Sequence, residues 1–284
     1  MPLRKLTTTD AFVVVDLDGA DHAVGVARLA PKVLVDGAWM LARSVTYAFA
    51  VHGVRAGGAS AGINAKPDGR DAAVTAFVEE VGAFAGDAGL RLSPSTGLTG
   101  DDLSPLGPDP LDPVLSARGA IAAAAAFLDG GLDGRTVAVV GAHPAADAAR
   151  TELAGSAATL ADAATIDAEA DVVLVAGKVG AVDHDAAATV RAKVLGPLTA
   201  VPVTAKAHAV LGRGDVCHVP DFVALSAPLL ATVDPDAADA VGRVAALAAE
   251  LAPGGTGAWR EAVDRAETFL RTWRDDLPFG RPLG

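Results

Sequence analysis

Apolar residues recur along this chain at two different periods, and the changes of period mark out its elements. Ala11–Leu17 (AFVVVDL) is a β-branched run that ends at the Asp18-Gly19 turn signal, and Ala23–Leu29 (AVGVARL) reads as a second strand. From Asp36 to Val51 the apolar positions Trp39, Met40, Val45, Tyr47 and Val51 fall at helical spacing, with Asp36 as N-cap. Gly57 to Asn64 reads as a Gly/Ala-rich loop running into another strand, and Asp71–Phe84 as an amphipathic helix.

The pattern then breaks. Pro94, Pro105, Pro108, Pro110 and Pro113 crowd the stretch from Ser93 to Pro113, which excludes regular helix or central strand and suggests a loop over a cleft leading to a domain boundary. An Ala-rich helix over Ala117–Leu128 follows. Next come a turn (Asp129–Gly134), a strand (Thr136–Val140), a turn at Gly141, a helix (Ala145–Ala154) and a weak strand near Ala158–Leu160. Asp171–Ala176, Lys193–Leu195 and Asp221–Leu225 are further strand candidates, and strands alternating with helices predict a mostly parallel sheet. The tail predicts a helix from Asp234-Pro235 to Pro253-Gly254-Gly255, then a second over Ala258–Asp275 that aligns Trp259, Val263, Ala266, Leu270 and Trp273 for packing. No internal repeat is visible.

Composition narrows the function classes. At 284 residues the chain suits one large domain or two modest ones, and 51% hydrophobic residues, mostly Ala and Val, suit a tightly packed core. No uninterrupted apolar run of about 18 residues occurs, so no membrane span is expected. Met1 to Asp10 lacks a signal-peptide core, and a cytoplasmic location is expected. The formal charge of −12 with no basic run argues against nucleic acid and anionic membranes as partners. The preference for Asp over Glu and Arg over Lys fits a GC-rich genome or a salty cytoplasm. One cysteine, Cys217, excludes an internal disulfide and a thiolate zinc cluster, and its place at a strand end reads as core. Asp183-His184-Asp185 reads as a solvated loop rather than a metal site, so no metal is expected.

The most informative stretch is Leu41–Ile63 (LARSVTYAFAVHGVRAGGASAGI). It resembles the substrate-domain pattern L-A-R-G-M-T-Y-K-N-A-x-A-G-L-x-x-G-G-x-K-G-G-I of the glutamate/leucine/phenylalanine/valine dehydrogenase family. Leu41, Ala42, Arg43, Thr46, Tyr47, Ala50, Gly53, Gly57, Gly58, Gly62 and Ile63 fall in register. Further pieces keep the family order: Gly97-Leu98-Thr99 with Asp101-Asp102-Leu103, then LDGRTVAVVG at Leu132–Gly141, RAKVL at Arg191–Leu195, and GDVCHVPDFV at Gly214–Val223. The resemblance spans roughly residues 20–230. It implies an α/β fold with an N-terminal substrate and oligomerisation domain (1–112) and a Rossmann-like NAD(P)-binding domain (113–255). A C-terminal helix (256–284) would return across the hinge. It also implies oxidative deamination of an amino acid with NAD or NADP, a small amino or keto acid as ligand, and assembly as a homo-oligomer or with a paralogue.

The departures fall on the positions that the resemblance assigns to chemistry. Ala48 stands for the substrate lysine, Ser60 for the catalytic lysine and Ser95 for the catalytic aspartate. Serine at physiological pH supplies neither the charge nor a strong base, and each such loss costs about 10²–10⁴ in rate. Lys66 is a candidate substitute, or else a solvated loop lysine before Pro67. Gly57 and Gly58 would let backbone approach a substrate, with His52 and Arg55 beside them as candidate anion holders. On the cofactor side the turn reads Gly141-Ala142-His143-Pro144, where His143 replaces the glycine that admits pyrophosphate and Pro144 fixes the helix start. Asp162 stands where an acid would bind the adenosine ribose. Val201 falls where the family has asparagine after the A-K-V strand. Three readings stay open: a pseudoenzyme or regulatory paralogue, an active NAD(P)-dependent oxidoreductase with altered chemistry in the same cleft, and an oligomeric scaffold.

Overall fold

The computed structural model describes residues 3–233 and 239–277. Its first half is a five-stranded sheet in the order β1-β2-β4-β3-β5. In chain order it runs β1 (Leu3–Lys5), β2 (Ala11–Val15), β3 (Ala23–Ala30), α1 (Val35–Val51), β4 (Gly57–Asn64), α2 (Arg70–Ala85) and β5 (Leu90–Pro94). Strands β3, β4 and β5 are parallel, while β2 runs antiparallel to β4, and β1 to β2. Strand periodicity explains the layering. Ala59, Ala61 and Ile63 of β4 face α2 residues such as Phe77 and Val81, while the intervening Gly58, Ser60 and Gly62 point to the other face, where α1 covers Gly58 and Phe12 and Val33 cover Gly62.

The small residues of β4 let α1 lie directly on the sheet. A Cβ on Gly58 would stand 1.7 Å from the Ala42 carbonyl oxygen, and one on Gly62 would stand 2.5 Å from the Phe12 ring. Ser60 between them is fully buried and donates its hydroxyl to the Val26 carbonyl at 3.1 Å. The Gly57–Asn64 stretch is therefore strand throughout, and the expected loop is absent. Helix α1 closes at Gly53 (φ +72°), with the Val54 N–H reaching back to the Phe49 carbonyl at 3.0 Å. Glycine meets the left-handed closure of a helix end without strain.

After α3 (Gly100–Leu103), α4 (Pro113–Ala126) leads into an all-parallel second sheet. That half contains β6 (Thr136–Val140), α5 (Pro144–Ala154), β7 (Thr159–Ala161), β8 (Val172–Val175), α6 (His184–Ala187), β9 (Val194–Pro197), α7 (Ala205–Arg213) and β10 (Cys217–His218). The order is β10-β9-β8-β6-β7. Compared with the strand order 3-2-1-4-5-6 of a doubly wound nucleotide-binding sheet, β7 occupies the second-strand position and ends the sheet. Residues 162–171 run from β7 straight into β8, so the third strand is missing.

The chain ends with α8 (Asp221–Ala224), α9 (Ser226–Val233), α10 (Ala240–Leu251) and α11 (Ala258–Leu270). Asp221–Leu225, expected as a strand, is helical. Its apolar run is buried on all sides, which a helix and a central strand satisfy equally, and Pro220 sets the helical start. The Asp234-Pro235 helix start lies outside the described residues; α10 is capped by Asp239, whose Oδ1 accepts from Gly242 N–H at 2.8 Å. Helix α11 returns to the first half and packs along α1, where Tyr47 donates to Glu267 at 3.1 Å. Residues of α1, α4, α8, α10 and α11 share one apolar core that joins the two sheets.

Candidate functional site

Between the halves lies a cleft of about 760 Å³, within the usual range for small-molecule sites. One wall is α1 (Leu41, Ser44, Val45, Ala48) with Val26 and Arg28 of β3 and the loop after β5. The other is built from the turns that follow parallel strands: Ala142-His143-Pro144 after β6, Gly177-Lys178-Val179 after β8, and Leu198-Thr199-Ala200 after β9. Ligands bind such sheets at the carboxyl ends of their strands.

The cleft gathers Ala48, Ser95, His143 and Pro144 from the residues singled out in the sequence. The others lie elsewhere. Ser60 is sealed beneath α1. Lys66 is exposed beside the turn at Pro67, and Arg55 is exposed after the end of α1. Gly57 and Gly58 serve strand and helix packing. Gly141 (φ +97°) brings its turn against β8, where a Cβ would meet the Ala176 carbonyl oxygen at 2.0 Å. Asp162 is exposed just past the carboxyl end of β7.

His52, expected as an anion holder, points away from the cleft and beneath α9. Ser226 donates its hydroxyl to the Val223 carbonyl, so its oxygen accepts from His52 Nε2–H, both at 2.8 Å. Burial first, then Arg243 and Arg265, lower the His52 pKa to about 4. A neutral imidazole holds no anion by charge. Cys217 is half-buried in β10 rather than core, and burial raises its thiol pKa, so it is not an activated nucleophile.

Four residues of the cleft escaped the sequence reading: Arg28, Ser44, Lys178 and Asp221. Asp221 is 2% exposed, and its Oδ2 accepts from Ser44 Oγ across the cleft and from Val201 N–H, each at 2.8 Å. Burial raises its pKa against the pull of those donors. The Val201 N–H reaches Asp221 from a backbone at φ +51°, a left-handed conformation costly for a β-branched residue. Ser44 stands where the resemblance places glycine, which was the available signal for this contact. Arg28 had no motif to flag it.

The implied dinucleotide can be tested against α5, whose N-terminus would receive the pyrophosphate. Pro144 has no N–H. The Ala145 N–H goes to His143 Nδ1 at 3.2 Å, and the Ala146 and Asp147 N–H groups go to the His143 carbonyl at 2.8 and 3.1 Å. The first turn therefore has no N–H to offer, and Asp147 adds negative charge there. The residues at this helix end do not fit a pyrophosphate, although the winding of the sheet is that of a nucleotide-binding domain.

No family profile and no curated protein matches the sequence. Solved structures do match. The hetero-hexameric glutamate dehydrogenase of Thermus thermophilus, in a Leu-bound form, is 19% identical with a TM-score of 0.73, covering 94% of this chain and 86% of that one. L-tryptophan dehydrogenase of Nostoc punctiforme is 18% identical with a TM-score of 0.66, covering 95% of each. Glutamate dehydrogenase of Peptoniphilus asaccharolyticus is 14% identical with a TM-score of 0.65, covering 92% of this chain and 86% of that one. Nearly the whole chain takes part in these likenesses, both sheets included, and it therefore has the amino-acid dehydrogenase fold, with a Rossmann-like second half.

Proposed function

We propose that this protein is a ligand-binding pseudoenzyme on the amino-acid dehydrogenase fold, which takes a small organic acid into its cleft and does not deaminate amino acids. The observation that carries the reading is the chemistry of the three substituted positions. Ala48 and Ser95 present no charge to the cleft, and Ser60 is buried with its hydroxyl engaged by Val26. No base or cation stands at these three positions, so the groups that would take a proton from the amine and activate water on the imine are absent there. NAD or NADP, which the resemblance implies, is not part of this function, in keeping with the engaged N–H groups of α5.

The protein acts in the cytoplasm as an oligomer, with itself or with a paralogous subunit. The hetero-hexameric assembly of the Thermus thermophilus relative supports that arrangement. The test is the purified chain, alone and mixed with a catalytic paralogue where the genome encodes one, incubated with amino acids and NAD or NADP at about 340 nm. The chain alone should form no reduced nicotinamide; turnover on the order of 1 s⁻¹, ordinary for enzymes, would sink the reading. The alternative, an oxidoreductase with altered chemistry, rests on Lys178, an exposed lysine of the cleft wall. It predicts turnover that Lys178→Met abolishes.

A further inference from the structure

Arg28 projects from β3 into the cleft wall beside the first turn of α1, where its Nη1 and Nη2 would lie 3.6 and 3.7 Å from a Cβ on Gly37. Its Nε and Nη2 are buried and make no hydrogen bond. Among the described residues it forms no ion pair. The neighbouring helix end adds to the imbalance: the α1 N-cap, Leu34, contributes no side-chain cap, so amide dipoles point outward there. Natural interiors leave few polar groups without partners, and a guanidinium is among the costliest to leave bare.

The remaining ionisable groups of the cleft sharpen the picture. Asp221 is engaged by Ser44 and Val201. Asp109 turns its Oδ1 back onto the Leu111 N–H at 2.9 Å. Lys178 adds a second positive charge on the opposite wall, while Val26, Leu41, Val45, Leu198 and Phe222 supply apolar surface. Two positive charges thus face the cleft, while each of the two lining carboxylates has one oxygen held by protein donors. This imbalance stands out in a chain of net charge −12.

We infer that Arg28 is the carboxylate anchor of the cleft, and that the ligand is a monocarboxylate with a branched aliphatic or aromatic body and no α-amino group. The guanidinium charge suits a carboxylate, and the apolar walls suit the body. The inference rests on the proposed ligand-binding function and names its ligand class.

The test is calorimetry and thermal melting of the full chain with isocaproate, α-ketoisocaproate, leucine and inorganic phosphate, without dinucleotide. Isocaproate and its keto acid bind, leucine at least about tenfold more weakly and phosphate more weakly still. Arg28→Met binds the acids about tenfold or more worse, while its ligand-free melting temperature rises because an unpaired, partly buried cation is gone. Arg28→Lys retains part of the affinity. Equal binding by Arg28→Met, leucine or phosphate binding as tightly as isocaproate, or no binding of either acid to the wild type overturns the inference. A melting temperature lowered by Arg28→Met also overturns it, since that would make Arg28 a packing residue. Turnover in the dehydrogenase assay would defeat the pseudoenzyme reading while leaving the Arg28 result standing, so the two fail separately.

Discussion

Acid should weaken this protein through His52. The imidazole sits at the C-terminal end of α1 and donates to Ser226. A helix C-terminus favours a charged histidine by about 0.3–1 kcal/mol, but burial and the Arg243 and Arg265 charges prevail and bring the pKa from 6.5 to about 4. The folded pKa lies below the unfolded one, so the unfolded chain binds the proton first. The stability is present above the unfolded pKa and is lost as pH falls through the window from 6.5 to about 4. Linkage over that interval gives a loss of about 2 kcal/mol between about pH 7 and about pH 5. His52→Gln keeps a donor for Ser226 and removes the titration. Urea unfolding of both proteins at the two pH values should show a pH penalty smaller by about 2 kcal/mol in the variant. Equal penalties would refute the assignment of a buried, neutral His52.

Other perturbations test the packing and the cleft. Gly58→Ala would force α1 off β4, because the new methyl meets the Ala42 carbonyl; a loss of about 3 kcal/mol or more is expected, and a melting temperature equal to wild type would contradict it. Ser44→Ala removes one donor from buried Asp221 and should cost about 1–3 kcal/mol near neutral pH. Burial raises the Asp221 pKa, so in acid the carboxyl is neutral and the Ser44 hydroxyl, which favours the ionised form, contributes less. The variant's deficit should therefore shrink in acid, as denaturation across pH will show. His143→Ala removes the cap on Ala145 and should destabilise the protein by about 1 kcal/mol. Calorimetry should show no dinucleotide binding to that variant, since the Ala146 and Asp147 N–H groups stay on the residue-143 carbonyl.

Local patterns fixed much of the framework. The β-branched runs of β2, β6 and β8, the helical spacing of α1 and α11, and the proline-rich break before α4 each express a short-range rule: alternation, an apolar stripe, or a missing N–H. The ordered pieces from Leu41 to Val223 fixed how these elements assemble, and the uncharged character of Ala48, Ser60 and Ser95 is plain in the sequence without coordinates.

Tertiary packing decided the rest. Asp221–Leu225 reads as strand or helix until burial on every side is known. Gly57 and Gly58 read as substrate-facing until Leu17 and Ala20 are seen against the first and α1 against the second, because a glycine in sequence does not say what approaches it. His52 and Arg28 exchange roles for the same reason. The sequence placed the histidine beside a glycine motif, and folding buried it under α9; it gave the arginine no motif, and folding left it unpaired in the cleft wall. A charge acquires its meaning from the groups brought near it across the fold, and that information is carried by the packing of α1, β3 and α9 rather than by neighbours in the chain.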